Sequence, residues 1–284
     1  MAKFILTGFG DEIADALDTQ MEVMGGLDIH YIETRGIDGK NISAYTPAEA
    51  KQVIARMKDK GFGVSALGSP FGKIGIKDDF DEHLETFKRS IEVAHAMETK
   101  YIRMFSFFTP QEEDPAIYRD EVMARLAKFV EVNKGSGIQL LHENEKAIYG
   151  DTPERCLDIL KTFEGDILCT YDPSNFVQCG VDNKHAFALL GDRVHYMHIK
   201  DSVYVTGADK QVDHGFEDVS DAHRPAGQGD GCVEWVLAQL AARNFEGFAS
   251  IEPHLSSNNA IPGTGADKFT VAANALKGLL AKVL

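Results

Sequence analysis

An eight-stranded α/β barrel, (β/α)8, is the fold class the sequence predicts, and three observations predict it. Eight short apolar runs alternate with helical patterns down the chain. No Pro/Gly/Ser linker or shift in composition divides one part from another. The 284 residues suit one such barrel, which takes ~250 residues, better than two average domains. A single barrel domain over 1–284 is therefore expected.

Each element has its own local reason. The run at 3–8 (KFILTG) is short and rich in Ile, Leu and Phe, as a strand covered on both faces must be, and a helical pattern at 15–24 follows it. The run at 29–34 leads to a helix at 46–60, which opens TPAE: Thr46 can cap, and Pro47 suits the first helical position. After the run at 62–67 comes 79–97, with apolar Phe80, Leu84, Phe87, Ile91 and Ala94 at steps of three and four. Runs at 101–107 and 138–142 precede helices at 115–133 and 152–162, the second opening TPER in the same capping style. Runs at 167–171, 194–199 and 248–251 precede helices at 182–190, 233–242 and 266–284. The seventh and eighth runs stand farther apart than other neighbours, and 203–231 between them has no clear periodicity. That is the behaviour of a binding loop or lid.

Composition excludes several classes of function. Lys and Arg number 29 against 44 Asp and Glu, a net charge of −15. A surface this acidic repels a polyanion, so no nucleic-acid partner is expected. With 44% hydrophobic residues the chain has material for a core and is not intrinsically disordered. The four cysteines (Cys156, Cys169, Cys179, Cys232) are scattered without a CxxC pair, which reads as free thiols in a reducing compartment. The N-terminus turns acidic too soon for a secretory signal, and no run approaches the ~20 apolar residues of a membrane span. A soluble cytoplasmic protein with no membrane partner is the expectation.

Barrels of this kind expose their chemistry where strands end and βα loops begin. The fifth run ends HENE, the sixth YDPSN, the seventh HIKD and the eighth SIEPH, so consecutive strand ends deliver Glu143, Asp172, His198 and Glu252. A terminal Asp or Glu taken singly has capping of the next helix as an equal alternative to a functional role. Three carboxylates converging would repel, and a divalent cation removes the conflict. Carboxylate oxygens with one imidazole suit Mn²⁺, Mg²⁺, Co²⁺ or Zn²⁺. Strand alternation puts His198 and Lys200 on one face and His195 and Met197 on the other. It likewise pairs Glu143 with Leu141, leaving His142 facing the helices. His142 and His195 are read as structural, and Glu145 as a solvated loop carboxylate.

The ordered set HENE…GDTPE, YDPSN, HYMHIKDS, GQGDG and SIEPH, with GFGDEI near the start and YIRMFSFF on the fourth run, resembles the xylose isomerase-like barrel superfamily. Within it the chain is similar to sugar phosphate isomerases and epimerases, a group that includes ketose 3-epimerases and keto-inositol dehydratases. The resemblance implies one divalent ion, manganese first, on the same four positions, and a proton-transferring role for Glu143 and Glu252. It also implies a small keto-sugar or keto-polyol substrate and, since such barrels often associate, a homo-oligomer. The chain departs from the epimerases at Asn175, where they commonly carry His, and at Tyr204, where they carry Arg. Lys200, Asp201 and Arg224 are candidates to take over those substrate contacts.

The expected reaction is metal-assisted proton abstraction next to a carbonyl, through an enediolate. Returning the proton to the opposite face epimerises, and returning it to the neighbouring carbon isomerises. Expelling a β-hydroxyl dehydrates, which makes a lyase the runner-up. A silent sugar-binding barrel is a remote third reading, and an apurinic-type endonuclease is disfavoured by charge and by missing histidines. Further candidate contacts are Arg103, if it faces the barrel, Glu12 in the first loop and Gln228 in GQGDG. For Glu12 the alternatives are helix capping or solvation, and for Gln228 a plain turn. PGTGAD at 262–267 could offer backbone N–H groups to a phosphate.

Overall fold

The computed structural model describes residues 2–204, 222–255 and 261–284. Its β-branched and aromatic runs form eight strands: β1 Lys3–Gly8, β2 Tyr31–Thr34, β3 Gly63–Gly68, β4 Tyr101–Met104, β5 Gln139–Glu143, β6 Ile167–Tyr171, β7 Val194–Ile199 and β8 Glu246–Ile251. All ladders in this sheet are parallel, in the order β1-β8-β7-β6-β5-β4-β3-β2. β1 and β2 lie against each other and bring the ring near closure.

Helices α1 Leu17–Gly26, α2 Pro47–Asp59, α3 Asp81–Ala96, α4 Arg119–Asn133, α5 Pro153–Thr162, α6 Pro173–Gln178, α7 Asn183–Leu190, α8 Val233–Ala242 and α9 Gly265–Val283 follow the strands. Local chemistry starts several of them. Thr46 and Glu49 close a capping box on α2, as do Thr264 and Asp267 on α9. Thr152 caps α5, with Pro153 at the first position. α1 begins two residues later than the pattern predicts, because Leu17 N–H donates to the carboxylate of Asp38, a cap supplied from a distant turn (3.0 Å).

Alternation divides the strands into two faces. Ile102, Met104, Leu140, Met197, Ile199, Ala249 and Ile251 are buried toward the helices. Inside the barrel, Ala66, Leu141 and Tyr196 pack with Tyr101, Leu168 and Phe248. The rings of Tyr101, Tyr196 and Phe248 lie 5.7–6.5 Å apart, within the range where aromatic pairs attract. This layer plugs the barrel from below and leaves one end of it for polar chemistry.

Two expectations change. The fourth run is a strand only to Met104. Phe105 and Phe107 then donate to the backbone carbonyls of Phe71 and Gly72, and Phe107 turns left-handed (φ 65°). His195 does not point to the helices: the register skips it between Cys169↔Val194 and Thr170↔Tyr196. As the extra residue of a bulge, it turns its Nε2 to Tyr101 Oη (3.1 Å). It remains structural, as does His142, whose Nε2 meets Ser106 Oγ at 2.9 Å. No helix among the described residues is long and apolar enough to cross a membrane. Much of the long connection predicted at 203–231 lies outside the described residues. A short antiparallel ribbon pairs Asp201–Ser202, just before it, with His223–Arg224 within it.

Candidate metal centre

Glu143 ends β5, Asp172 follows β6, His198 lies near the end of β7 and Glu252 follows β8. One ligand atom from each lies within 4.8 Å of the others, and all four residues are buried. His198 Nδ1 stands 3.0 Å from Glu143 Oε1 and 3.1 Å from Glu252 Oε2. Nδ1 of His198, Oδ2 of Asp172 and Oε2 of Glu252 are buried without a hydrogen bond. Buried polar atoms are otherwise nearly always satisfied. Three such atoms aimed at one another, completed by a glutamate oxygen, form a donor set of the hard oxygen and imidazole type that divalent cations take. The residues fit that ion.

Asp172 divides its work. Oδ1 caps α6 by accepting from Asn175 N–H (2.9 Å), and Oδ2 faces the cluster. Capping and ligation, alternatives in the sequence, are compatible in the fold.

The charges are strongly coupled. Burial would push Glu143 up, but His198 and Arg103 outweigh it and hold the carboxyl down at about 2. Burial opposes Glu252 as well, and Lys200 with His198 keeps it well below the carboxylate range. Asp172 goes the other way, raised to about 7 by burial against the pull of Lys200. His198 is lifted well above its usual range, since Glu143, Glu33 and Glu252 overcome the burial that would lower it.

A ring of partners fixes the four side chains. Arg103 faces the barrel, donates Nη1–H to Glu143 Oε2 (2.9 Å) and lies over Phe105 (4.5 Å) and Phe9 (5.6 Å). Asn175 Nδ2–H donates to Glu143 Oε1 (3.1 Å) and to the Asn144 carbonyl (2.8 Å). Lys200, buried, places Nζ 2.9 Å from Asp172 Oδ2 and 3.6 Å from Glu252 Oε2. The Glu12 carboxylate is largely covered too. It accepts the His254 N–H (2.8 Å), and its free oxygen faces Arg35 at 3.5 Å.

The sequence reasoning missed three residues. Glu33, on β2, is fully buried and takes His198 Nε2 on both oxygens at 3.2 Å, while Tyr196 Oη donates to it at 2.9 Å. Arg35 grips Glu252 Oε1 (3.0 Å) and Asp11 (2.7 Å). His254 stands 3.4 Å from Glu252 Oε1 and 3.6 Å from Glu12, and Glu12, Glu252 and His254 form a second, looser grouping. The ETR triplet ending β2 carried the signal for Glu33 and Arg35, because it meets the same strand-end criterion as the four ligand candidates.

Other expected contacts lie elsewhere. Asp201 turns from the cluster and accepts four backbone N–H groups, from Ser202, Gly227, Gly229 and Gly231 (2.8–3.0 Å). A Cβ at Gly229 or Gly231 would come within 2.4 or 2.6 Å of its carboxylate, which accounts for the glycines of GQGDG. Asp201 is thus a clasp for the loop, with both carboxylate oxygens engaged by backbone N–H groups. Gln228 is exposed in the turn closed by its N–H to the Pro225 carbonyl. Arg224, half-buried, donates to the His223 carbonyl. Tyr204 is tied to the Asp230 carboxylate and the Val181 carbonyl. Glu145 is no solvated carboxylate: it pairs with Lys73 at 2.8 Å. In PGTGAD the Thr264–Asp267 box already serves the start of α9.

The family model described as Xylose isomerase-like TIM barrel matches residues 26–273. Among solved structures, the IolI protein with a bound zinc atom superposes at a TM-score of 0.80, with 16% identity over 99% of each chain. The probable 3-DHS dehydratase AsbF of Bacillus anthracis follows at 0.75, with 16% identity over 97% of this chain and 98% of that one. The 3-keto-D-glucoside 4-epimerase YcjR of E. coli reaches 0.71, with 15% identity over 98% and 100%. At such identities the likeness is one of fold. No curated protein matches the chain in sequence.

Proposed function

Because this chain belongs to the xylose isomerase-like TIM-barrel family, we propose that Glu143, Asp172, His198 and Glu252 hold one divalent cation, manganese by first choice. On that site the protein isomerises or epimerises a small keto-sugar by moving a proton on the carbon beside its carbonyl. The observation that carries this reading is the convergence of one ligand atom from each of the four buried residues within 4.8 Å at the barrel mouth, where Asp172 Oδ2, His198 Nδ1 and Glu252 Oε2 make no hydrogen bond.

When bound, the cation supplies Lewis-acid stabilisation of the oxyanion that develops as the proton leaves. The chain's own residues do the rest. Glu143 and Glu252 enter from strands on either side of β7 and β6, and their neighbours keep both ionised, as proton acceptors must be. Arg103 and Asn175 fix the plane of Glu143, and Arg35 fixes Glu252. A carboxylate held in place adds typically ~10²–10⁴-fold by proton transfer. Lys200, Asn175, Glu12 and Arg103 supply donors and an acceptor for substrate oxygens, with Arg224 and Gln228 farther out.

Dehydration of a keto-polyol is the second reading, and Lys200 favours it: a buried ammonium beside Glu252 can donate to a departing hydroxyl. The two separate on one experiment, a panel of ketoses, keto-inositols and oxidised glycosides incubated with Mn²⁺-loaded protein in D₂O. Deuterium on the carbon next to the carbonyl without loss of water supports isomerisation or epimerisation. Loss of water identifies the lyase. Tight Mn²⁺ binding with neither outcome across the panel overturns the enzymatic reading.

A further inference from the structure

Lys200 is the one lysine or arginine among the described residues whose ion pairs reach two of the four ligand candidates at once. Its Nζ approaches Asp172 Oδ2 and Glu252 Oε2, the same two oxygens that make no hydrogen bond. The 2.9 Å contact with Asp172 is therefore held by charge rather than by a directed bond. Asp172 and Glu252 each also contribute one oxygen to the group of ligand atoms that converge within 4.8 Å. An ammonium and a divalent ion would thus draw on the same negative charge.

An alternative partner is at hand. Glu145, in the loop after β5, acts on Lys200 electrostatically and is held from its other side by Lys73. Lys200 stands just beyond β7, and its ammonium is carried on a flexible four-carbon stem.

We propose that Lys200 is a built-in counter-cation for this cluster. It neutralises Asp172 and Glu252 in the metal-free protein and competes with the divalent ion for them, so that metal uptake moves Lys200 off these oxygens toward Glu145. This rests on the reading that the cluster takes a divalent cation. It adds that the resting protein stays folded without metal, and that affinity is lowered by an internal competitor. Three buried carboxylates with neither cation would repel one another strongly; Lys200 keeps that state from arising.

The test is Mn²⁺ titration by calorimetry, with thermal melts of metal-free and Mn²⁺-loaded protein, on wild type and Lys200→Met. Removing the ammonium is expected to tighten Mn²⁺ binding about tenfold or more, lower the Tm of the metal-free protein and widen the gap between the two melts. A folded Lys200→Met protein that binds Mn²⁺ as wild type does, or more weakly, overturns the proposal. If that variant does not fold, amine acylation of the wild type read by mass spectrometry decides. Faster modification of Lys200 with Mn²⁺ present supports displacement, and unchanged or slower modification refutes it. Failure of the underlying metal reading looks different: wild type and Glu252→Gln both ignore Mn²⁺ in every measurement.

Discussion

Replacing Glu33 tests whether a residue that would never touch the ion sets how well it is held. Both Glu33 oxygens lie 3.2 Å from His198 Nε2, so they hold the Nε2–H and leave Nδ1, which faces Glu143 and Glu252, as the nitrogen that gives up its proton to take the ion. Carboxylates placed behind a ligating imidazole fix its tautomer and raise its basicity, and losing them typically costs 10–100-fold in metal affinity. That range corresponds to about 1.4–2.7 kcal/mol. In Glu33→Gln the amide oxygen can keep one hydrogen bond but the charge is gone, so the lower end, about tenfold, is expected. In Glu33→Ala the imidazole also loses its hydrogen-bond partner, and the expected loss moves toward 100-fold. The assay is Mn²⁺ titration of both variants beside His198→Gln and the double variant Glu33→Gln/His198→Gln. If Glu33 acts through the imidazole, the double variant binds no more weakly than His198→Gln alone. A well-folded Glu33→Gln protein with wild-type affinity, or full additivity in the double variant, would refute the reasoning.

Two further expectations follow from groups away from the cluster. His83 Nε2 accepts the Gly72 N–H at 2.8 Å, and burial together with nearby Arg125 lowers its pKa to about 4. Below its unfolded value of about 6.5, the unfolded chain binds a proton that the folded one refuses. Stability is therefore lost as pH falls from about 6.5 through about 4, by ~1–2 kcal/mol once partial solvent exposure is discounted. Melts of His83→Gln should show a flatter pH dependence across that window, and an unchanged slope counts against it. In Asp201→Asn one acceptor oxygen becomes a donor, so two of the four clasped N–H groups lose their partner. At ~0.5–1.5 kcal/mol for each hydrogen bond lost, a drop in Tm is expected, with faster amide exchange in the glycine turn. Wild-type exchange at Gly227, Gly229 and Gly231 would contradict the clasp.

What could be read from the sequence was what a single element encodes by itself. Glu143, Asp172, His198 and Glu252 each close a short apolar run, and period-two alternation says which neighbours share their face. Parity alone thus assigns Leu141 to the barrel interior beside Glu143, and Leu141 lies there. Arg103, flanked by Ile102 and Met104, followed the same logic. The reading failed where position depends on a second strand. His195 was assigned by parity, but the bulge between β6 and β7 is a property of their pairing, and one extra residue reverses a side chain's direction. The start of α1 was misplaced for a related reason, since its cap comes from Asp38 across a turn.

Glu33 is the more instructive case, because its signal is local. Its triplet ETR closes the second apolar run as HENE closes the fifth, so one strand-end criterion covers both. On the barrel, β2 stands across the ring from β7, and a carboxylate there reaches the far side of the same imidazole that β5 and β8 approach at Nδ1. Adjacent strands, β5 to β8, furnish the side chains facing the proposed ion, and the opposite arc furnishes those that orient them: Glu33 on β2, Arg35 just after it, and Arg103 on β4. A closed sheet makes that division possible, since only in a ring do strands distant in sequence face one another at a few ångströms. The cluster is therefore a property of the whole barrel mouth, and substitutions on the β2 side should weaken it as surely as those at the four ligand candidates themselves.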